Sequence, residues 1–126
     1  MDKTRSAYAD YPGYRVDLIP QPGRVRVYQG DALLADSRRT LRVEETAHRD
    51  VIYFPEADVR RELFEPSEHH TFCPFKGEAD YWSLAHAERP DPNLVWMYRR
   101  PFDEVKGLAG HVAFYADRVR IVVEQG

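Results

Sequence analysis

Apolar and polar positions in this chain alternate more often than they recur at helical spacing, so the elements they predict are mostly short strands. In Arg24-Val25-Arg26-Val27-Tyr28 the valines alternate with arginines, the period of a strand with one buried face. Gly30-Asp31 turns the chain and Ala32 to Asp36 returns as the hairpin partner, in a register that neighbouring Gln29 leaves open. Before this pair, Tyr14 to Ile19 is a brief extended run. It stops at Pro20-Gln21-Pro22-Gly23, which can continue neither a helix nor a ladder. Leu41, Val43 and Glu45 alternate with Arg42, Glu44 and Thr46, and Val51-Ile52-Tyr53-Phe54 is rich in strand formers. Both read as strands, joined by a polar link that contains His48.

One helix interrupts the series. Pro55 suits a first turn, Glu56 and Asp58 bring negative charge to its N-terminus, and Val59 and Leu63 stand four apart, which predicts a short helix over residues 55–64. Pro66 and Ser67 close it. His69 to Cys73 then runs extended up to Pro74, and Phe75-Lys76-Gly77 is a tight connection into Glu78 to Leu84. Arg89-Pro90-Asp91-Pro92 reads as a loop. Asn93 to Arg99 is a strand with Trp96 and Tyr98 on one face and Val95 and Met97 on the other, so both faces are expected to be covered. One helical turn over Pro101 to Lys106 precedes a terminal hairpin of Gly110 to Tyr115 and Val119 to Glu124. Residues 1–13 lack a clear period and read as a flexible arm, leaving 14–126 as a single domain. The expected class is mainly β, with antiparallel sheets and one short helix.

Composition narrows what such a domain does. A chain of 126 residues suits one core, and 18 Lys+Arg against 21 Asp+Glu give −3, which leaves no basic excess for nucleic acid. Eight Tyr, six Phe and two Trp supply enough apolar surface to fold. A single cysteine forms no internal disulfide, and the sequence contains no 18-residue apolar run and no signal segment, so the expected location is cytoplasmic, away from membranes.

The segment Thr71-Phe72-Cys73-Pro74-Phe75-Lys76-Gly77 holds the only cysteine three residues before a lysine. A nearby ammonium favours a thiolate, which makes Cys73 a candidate nucleophile and Lys76 its activator or an anion clamp. Unpaired cysteines are more often core residues, and most lysines are solvated. His69 shares a strand face with Cys73 but sits about 13 Å along it. His48 or His111 are therefore the partners that only tertiary folding can supply. Metal binding is not expected, because CxxC and HExxH patterns are missing and Glu44 and Glu45 alternate across a strand.

A second set is aromatic. Tyr81-Trp82, Trp96 with Tyr98, and Phe114-Tyr115 fall on three strands, with adjacent members facing opposite ways. Half of them can line a pocket while the rest fill a core, and Arg38, Asp58 and Lys76 are candidate polar groups for such a site. Asp58 also suits the helix N-terminus, and Arg38 a solvated position.

These pieces together resemble the bacterial and fungal domain-of-unknown-function family 427, sometimes labelled nucleotidyltransferase-like, from about Pro20 to Val122. The matching segments are Pro22 to Val27, Ala35 to Arg39, His48 with Val51 to Pro55, and Asp58 to Arg60. They continue through Cys73 to Gly77, Ala79 to Trp82, Val95 to Tyr98 and Val112 to Tyr115. The resemblance implies a β-tent, two antiparallel sheets meeting at an angle, similar to B-type methionine sulfoxide reductases and the cereblon ligand domain. Relatives with that fold carry zinc on paired cysteines, whereas Cys73 stands alone, so the metal is not carried over. Nucleotidyl transfer needs Mg²⁺ on clustered carboxylates, which the sequence lacks. The resemblance adds weight to Tyr53, Asp58, Cys73, Lys76, Trp82 and Trp96.

The leading expectation is a small-molecule binding domain with an aromatic pocket between its sheets, lined by Tyr53, Trp82, Trp96 and Tyr98. Its ligand is anionic if Lys76 or Arg38 takes its charge. No cofactor is expected, and Lys76 is expected to matter more for affinity than Cys73. Two alternatives remain: an enzyme using Cys73 and Lys76, with His48 or Asp58 assisting, and a structural or partner-binding domain.

Overall fold

The structure is a computed structural model and describes residues 3–124. Among them, ten strands form two antiparallel sheets. They are β1 (Val16–Pro20), β2 (Arg24–Gln29), β3 (Ala32–Ser37), β4 (Leu41–Glu45), β5 (Val51–Pro55), β6 (Phe64–Cys73), β7 (Gly77–Leu84), β8 (Asp91–Met97), β9 (His111–Phe114) and β10 (Arg120–Glu124). The larger sheet runs β1-β4-β5-β9-β8-β7-β6, and the smaller one runs β10-β2-β3. This is the mainly β, antiparallel class that the alternation predicts, divided into the two sheets that the family resemblance implies. No helix among the described residues is long and apolar enough to cross a membrane.

The β2–β3 hairpin resolves its register with a two-residue Gly30-Asp31 loop, Gln29 facing Ala32, and an irregularity at Val27/Tyr28. Three expectations give way. The helix over residues 55–64 is replaced by two single 3-10 turns, Glu56–Asp58 and Arg61–Leu63. Val59 between them is extended and bridges to Ala35, while the Arg60 amide donates to the Leu34 carbonyl at 2.9 Å. A ten-residue segment offers too few helical bonds to offset the nucleation cost when β3 presents waiting partners. Pro66 and Ser67, expected to end that helix, lie inside β6, an edge strand with a register shift between Pro66 and His70, where a missing N–H is tolerated. The terminal hairpin is also absent: β9 pairs with β5 and β8, whereas β10 leaves for the other sheet and pairs with β2. Finally, β8 begins at Asp91, inside the expected loop.

The strands of the large sheet feed two separate cores. Facing the small sheet, Phe54, Phe64, Trp82, Leu84, Val95, Met97, Val112 and Phe114 pack against Val25, Val27, Leu34 and Ala35. On the opposite face, Val43, Tyr53, Ala79, Tyr81, Tyr98 and Ala113 gather with Val105 and Leu108 of the 3-10 segment Asp103–Leu108. The segment expected to be a flexible arm lies against this side: the Ala7 amide donates to the Pro74 carbonyl at 3.0 Å and Tyr8 Oη to the Phe75 carbonyl at 2.9 Å. Met1 and Asp2 of that arm lie outside the described residues.

Candidate functional site

The outer face of the large sheet carries a cavity of about 430 Å³. Alternation along the strands builds it. Val43 and Glu45 come from β4, Val51 and Tyr53 from β5, Cys73 from the end of β6, Tyr81 from β7 and Trp96 from β8. Tyr98 and Tyr115 follow β8 and β9, and His48 and Arg49 stand exposed at the rim.

The turn from β6 to β7 delivers Lys76. Cys73 pairs with Gly77 across the hairpin, and the Lys76 amide donates to the Cys73 carbonyl at 3.3 Å, closing a loop of Pro74, Phe75 and Lys76. Gly77 is required by its left-handed φ of +117°, and a Cβ there would come within 3.3 Å of the Arg100 carbonyl oxygen. Phe75 stacks on Tyr14, with ring centroids 3.8 Å apart and planes 11° from parallel. Lys76 turns inward, its side chain only 8% exposed, and donates to Glu45 Oε1. Tyr14 Oη donates to Oε2 of the same carboxylate. Burial alone would raise the Glu45 carboxyl, but the bonds from Lys76 and Tyr14, with the Lys76 charge, outweigh it and hold the group below its ordinary range. The Lys76 charge is thus paired with Glu45 and does not stand bare beside Cys73, while its remaining N–H groups stay available.

The ring walls are tied together more loosely. Trp96 Nε1 donates to Tyr53 Oη at 3.1 Å, and the Trp96 ring lies 4.7 Å from that of Tyr115. Thr71 Oγ1 and Tyr81 Oη share a hydrogen bond of 2.9 Å. Burial and a hydrogen bond to Tyr81 push the Tyr115 phenol up to about 12. Tyr98 differs from its neighbours. It is 8% exposed, yet its hydroxyl has no hydrogen-bond partner among the described residues. Nor is that hydroxyl sealed in, since the described buried side-chain atoms without partners are Thr40 Oγ1 and Trp82 Nε1. Tyr98 lines this cavity and also the edge of a smaller depression beside His111. Burial raises the pKa of its hydroxyl, keeping it a protonated donor, and the other groups acting on it, Tyr53, Cys73, Tyr81 and Glu45, all line the cavity.

Of the expected ligand-site residues, Tyr53, Lys76, Trp96 and Tyr98 meet in this cavity, together with Cys73 and His48. Trp82 does not. It is 2% exposed in the inter-sheet core, with the Arg61 guanidinium 4.2 Å over its ring. Arg38 is exposed and outside the lining, because it sits where β3 leaves the small sheet. Asp58 is elsewhere too, accepting from Ser37 Oγ at 2.5 Å and from Arg39 at 3.3 Å, bonds that replace the helix-terminal role. The pocket does not lie between the sheets, where apolar side chains interlock, but on the far side of the larger one. His111 Nδ1 is bonded to the Ala109 carbonyl and lines a different depression.

Glu45, Tyr14 and Arg49 are site or supporting residues that sequence reasoning left unassigned, and Tyr81 and Tyr115 stood in the aromatic set without being placed on the pocket side. For the tyrosines a signal existed: on β5 and β7, and at the end of β9, the cavity-side aromatic is Tyr while its neighbour on the closed face is Phe or Trp. A phenol needs a polar partner or open space, which a dry core does not offer.

For a cation, the structure gathers His70, Glu78 and Asp80, whose ligand atoms lie within 4.8 Å of one another on β6 and β7, outside the cavity. Asp80 is already engaged by His70 Nδ1 at 2.8 Å and Arg99 Nε at 3.3 Å, an exposed ion-pair cluster.

Residues 17–125 match the family described as Domain of unknown function (DUF427), labelled NTP_transf_9. The chain belongs to the DUF427 family. No curated protein matches it. In this DUF427 domain the cavity lining contains one carboxylate, Glu45, and both of its oxygens are taken by Lys76 and Tyr14. That arrangement differs from the clustered acids that the transferase label calls for.

Proposed function

We propose that this DUF427 domain binds a small planar molecule in the cavity on the outer face of its large sheet. The carrying observation is the wall of five rings, Tyr53, Tyr81, Trp96, Tyr98 and Tyr115, around a space of about 430 Å³. Such a volume falls in the range of ligand sites, and aromatic walls favour flat ligands through stacking. The buried Lys76–Glu45 pair at the floor supports the reading further. One-sided burial of ions is costly and the pair adds little to stability, so its place in a cavity favours recognition over folding. Neither a cofactor nor nucleic acid enters this reading. Among the described residues the exposed large hydrophobics are Tyr11 and Val123, which gives less support to a partner-binding role.

The two tryptophans provide the test. On addition of indole as a flat probe, the side-chain N–H resonance of Trp96 should shift in an NMR titration while that of Trp82, in the inter-sheet core, stays put. An unmoved Trp96 resonance at millimolar indole would sink the proposal.

A second reading, a cysteine-dependent enzyme, draws on one specific observation. Cys73 and His48 line the same cavity, and His48 Nδ1 lies 2.8 Å from the Thr46 carbonyl, a contact that leaves Nε2 as the basic nitrogen. Rapid alkylation of Cys73 that slows in His48→Gln favours this reading, and a slow rate unaffected by the substitution opposes it.

A further inference from the structure

Resting on the binding proposal, the unused hydrogen-bonding capacity of the cavity identifies a ligand class. Tyr98 Oη has no partner among the described residues. Tyr53 Oη accepts from Trp96, but its own proton has no acceptor there. Lys76 gives one N–H to Glu45 and keeps two. The natural internal acceptor, the Glu45 carboxylate, already receives Lys76 and Tyr14, which leaves about two of its four acceptor sites against four unused donor hydrogens. The inner surface is therefore rich in donors and poor in acceptors, and a ligand that fits it must bring the acceptors.

The number of donors separates acceptor types. One hydroxyl proton from each tyrosine and two from Lys76 exceed the two lone pairs of a carbonyl oxygen, whereas the two oxygens of a carboxylate offer about four acceptor sites. Charge agrees. Lys76 and Glu45 cancel, and Arg49 at the rim, with no ion pair among the described residues, leaves the mouth positive. A monoanion is then balanced, while a dianion such as a phosphate ester leaves net negative charge beside Glu45. We infer that the cavity takes an aromatic carboxylate, its ring against Trp96 and Tyr115 and its carboxylate on Tyr98, Tyr53 and Lys76.

Three probes with one ring system test this by calorimetric titration: naphthoate, naphthamide and naphthyl phosphate. Naphthoate should bind about tenfold or more tightly than either of the others, on the scale of a charge-assisted hydrogen bond. Tyr98→Phe should weaken naphthoate by a similar factor and naphthamide by clearly less, because the remaining donors satisfy the two lone pairs of its carbonyl. That variant keeps the ring and loses a hydroxyl without a partner, so an unaltered melting temperature excludes misfolding as the cause. Equal binding of naphthoate and naphthamide, or tighter binding of the phosphate, overturns the carboxylate while the indole shift of Trp96 keeps the binding proposal standing. If indole leaves Trp96 unmoved and no naphthyl probe binds, both fail together.

Discussion

The two faces of the seven-stranded sheet are made by the same strands and meet opposite fates. Toward the small sheet, Phe54, Trp82, Leu84, Val95 and Phe114 interlock with Val25, Val27 and Leu34 and leave no room. One residue along, Tyr53, Tyr81 and Trp96, with Tyr98 and Tyr115 beyond the strand ends, stand around a cavity. Both faces are aromatic, so hydrophobicity does not distinguish them. The hydroxyls do. A phenylalanine is satisfied by contact alone, whereas each tyrosine carries a group that needs a bond or open space, and four tyrosines on one side hold that side apart.

The sharpest way to break this contrast is to truncate each face in turn. Phe54→Ala, on the closed face, should cost about 3–5 kcal/mol in urea unfolding, since the interlocked neighbours cannot collapse into the gap. Tyr115→Ala, on a half-buried wall, should cost clearly less. Equal losses would mean that the cavity closes in solution and the two faces are alike.

Next in size is the buried pair. Lys76→Met leaves Glu45 charged and only 10% exposed, and should cost about 3 kcal/mol, most of which the double variant Glu45→Leu/Lys76→Met should recover. Failure of the double variant to recover would show that Tyr14 and the packed turn, rather than the ion pair, set the energetics of the floor.

A smaller effect is expected with pH. The Glu45 carboxyl is held below its ordinary 4.5 in the fold, so its stabilisation is complete above that value and drains away as pH falls through the lower, folded one. In Lys76→Met the acid loss attributable to Glu45 should vanish or reverse, because burial then dominates and raises the carboxyl. Melting curves of both proteins between neutral and strongly acidic pH decide it.

The smallest effect should come from Tyr98→Phe in the absence of any ligand, within about 0.5 kcal/mol of the parent, because the deleted hydroxyl has no partner to lose. A large loss would place that hydroxyl in an internal bond and remove it from the cavity's free donors.

These contrasts also explain what was legible in the chain. Valine–arginine alternation in β2 and the Trp96/Tyr98 against Val95/Met97 parity are local properties, and the folded strands follow them. The helix over 55–64 fails because Val59 and Arg60 find partners on β3, a neighbour that no local window contains. Arg38 and Asp58 fail as site residues for the same reason: their position depends on which sheet β3 joins. Lys76 is brought into the cavity by its turn, but the partner that neutralises it, Glu45, lies 31 positions upstream and is joined to it only through the pairing of distant strands. Trp82 was separable from Trp96 only by knowing which face is closed, and the tyrosines beside it carried that information.

The route of β10 bears on how quickly the molecule can assemble. Arg120 to Glu124 zip onto Tyr28 to Arg24, so the small sheet is completed by the pairing of segments separated by nearly the full length of the domain. Closing so wide a loop is entropically slow, and contacts of this reach belong to folds with sluggish kinetics. The cavity face draws on β4 to β9, whose neighbours are closer in sequence, and can organise earlier. Until β10 docks, the outer edge of β2 has no strand beside it, and an open edge of that kind is a template for pairing with another chain.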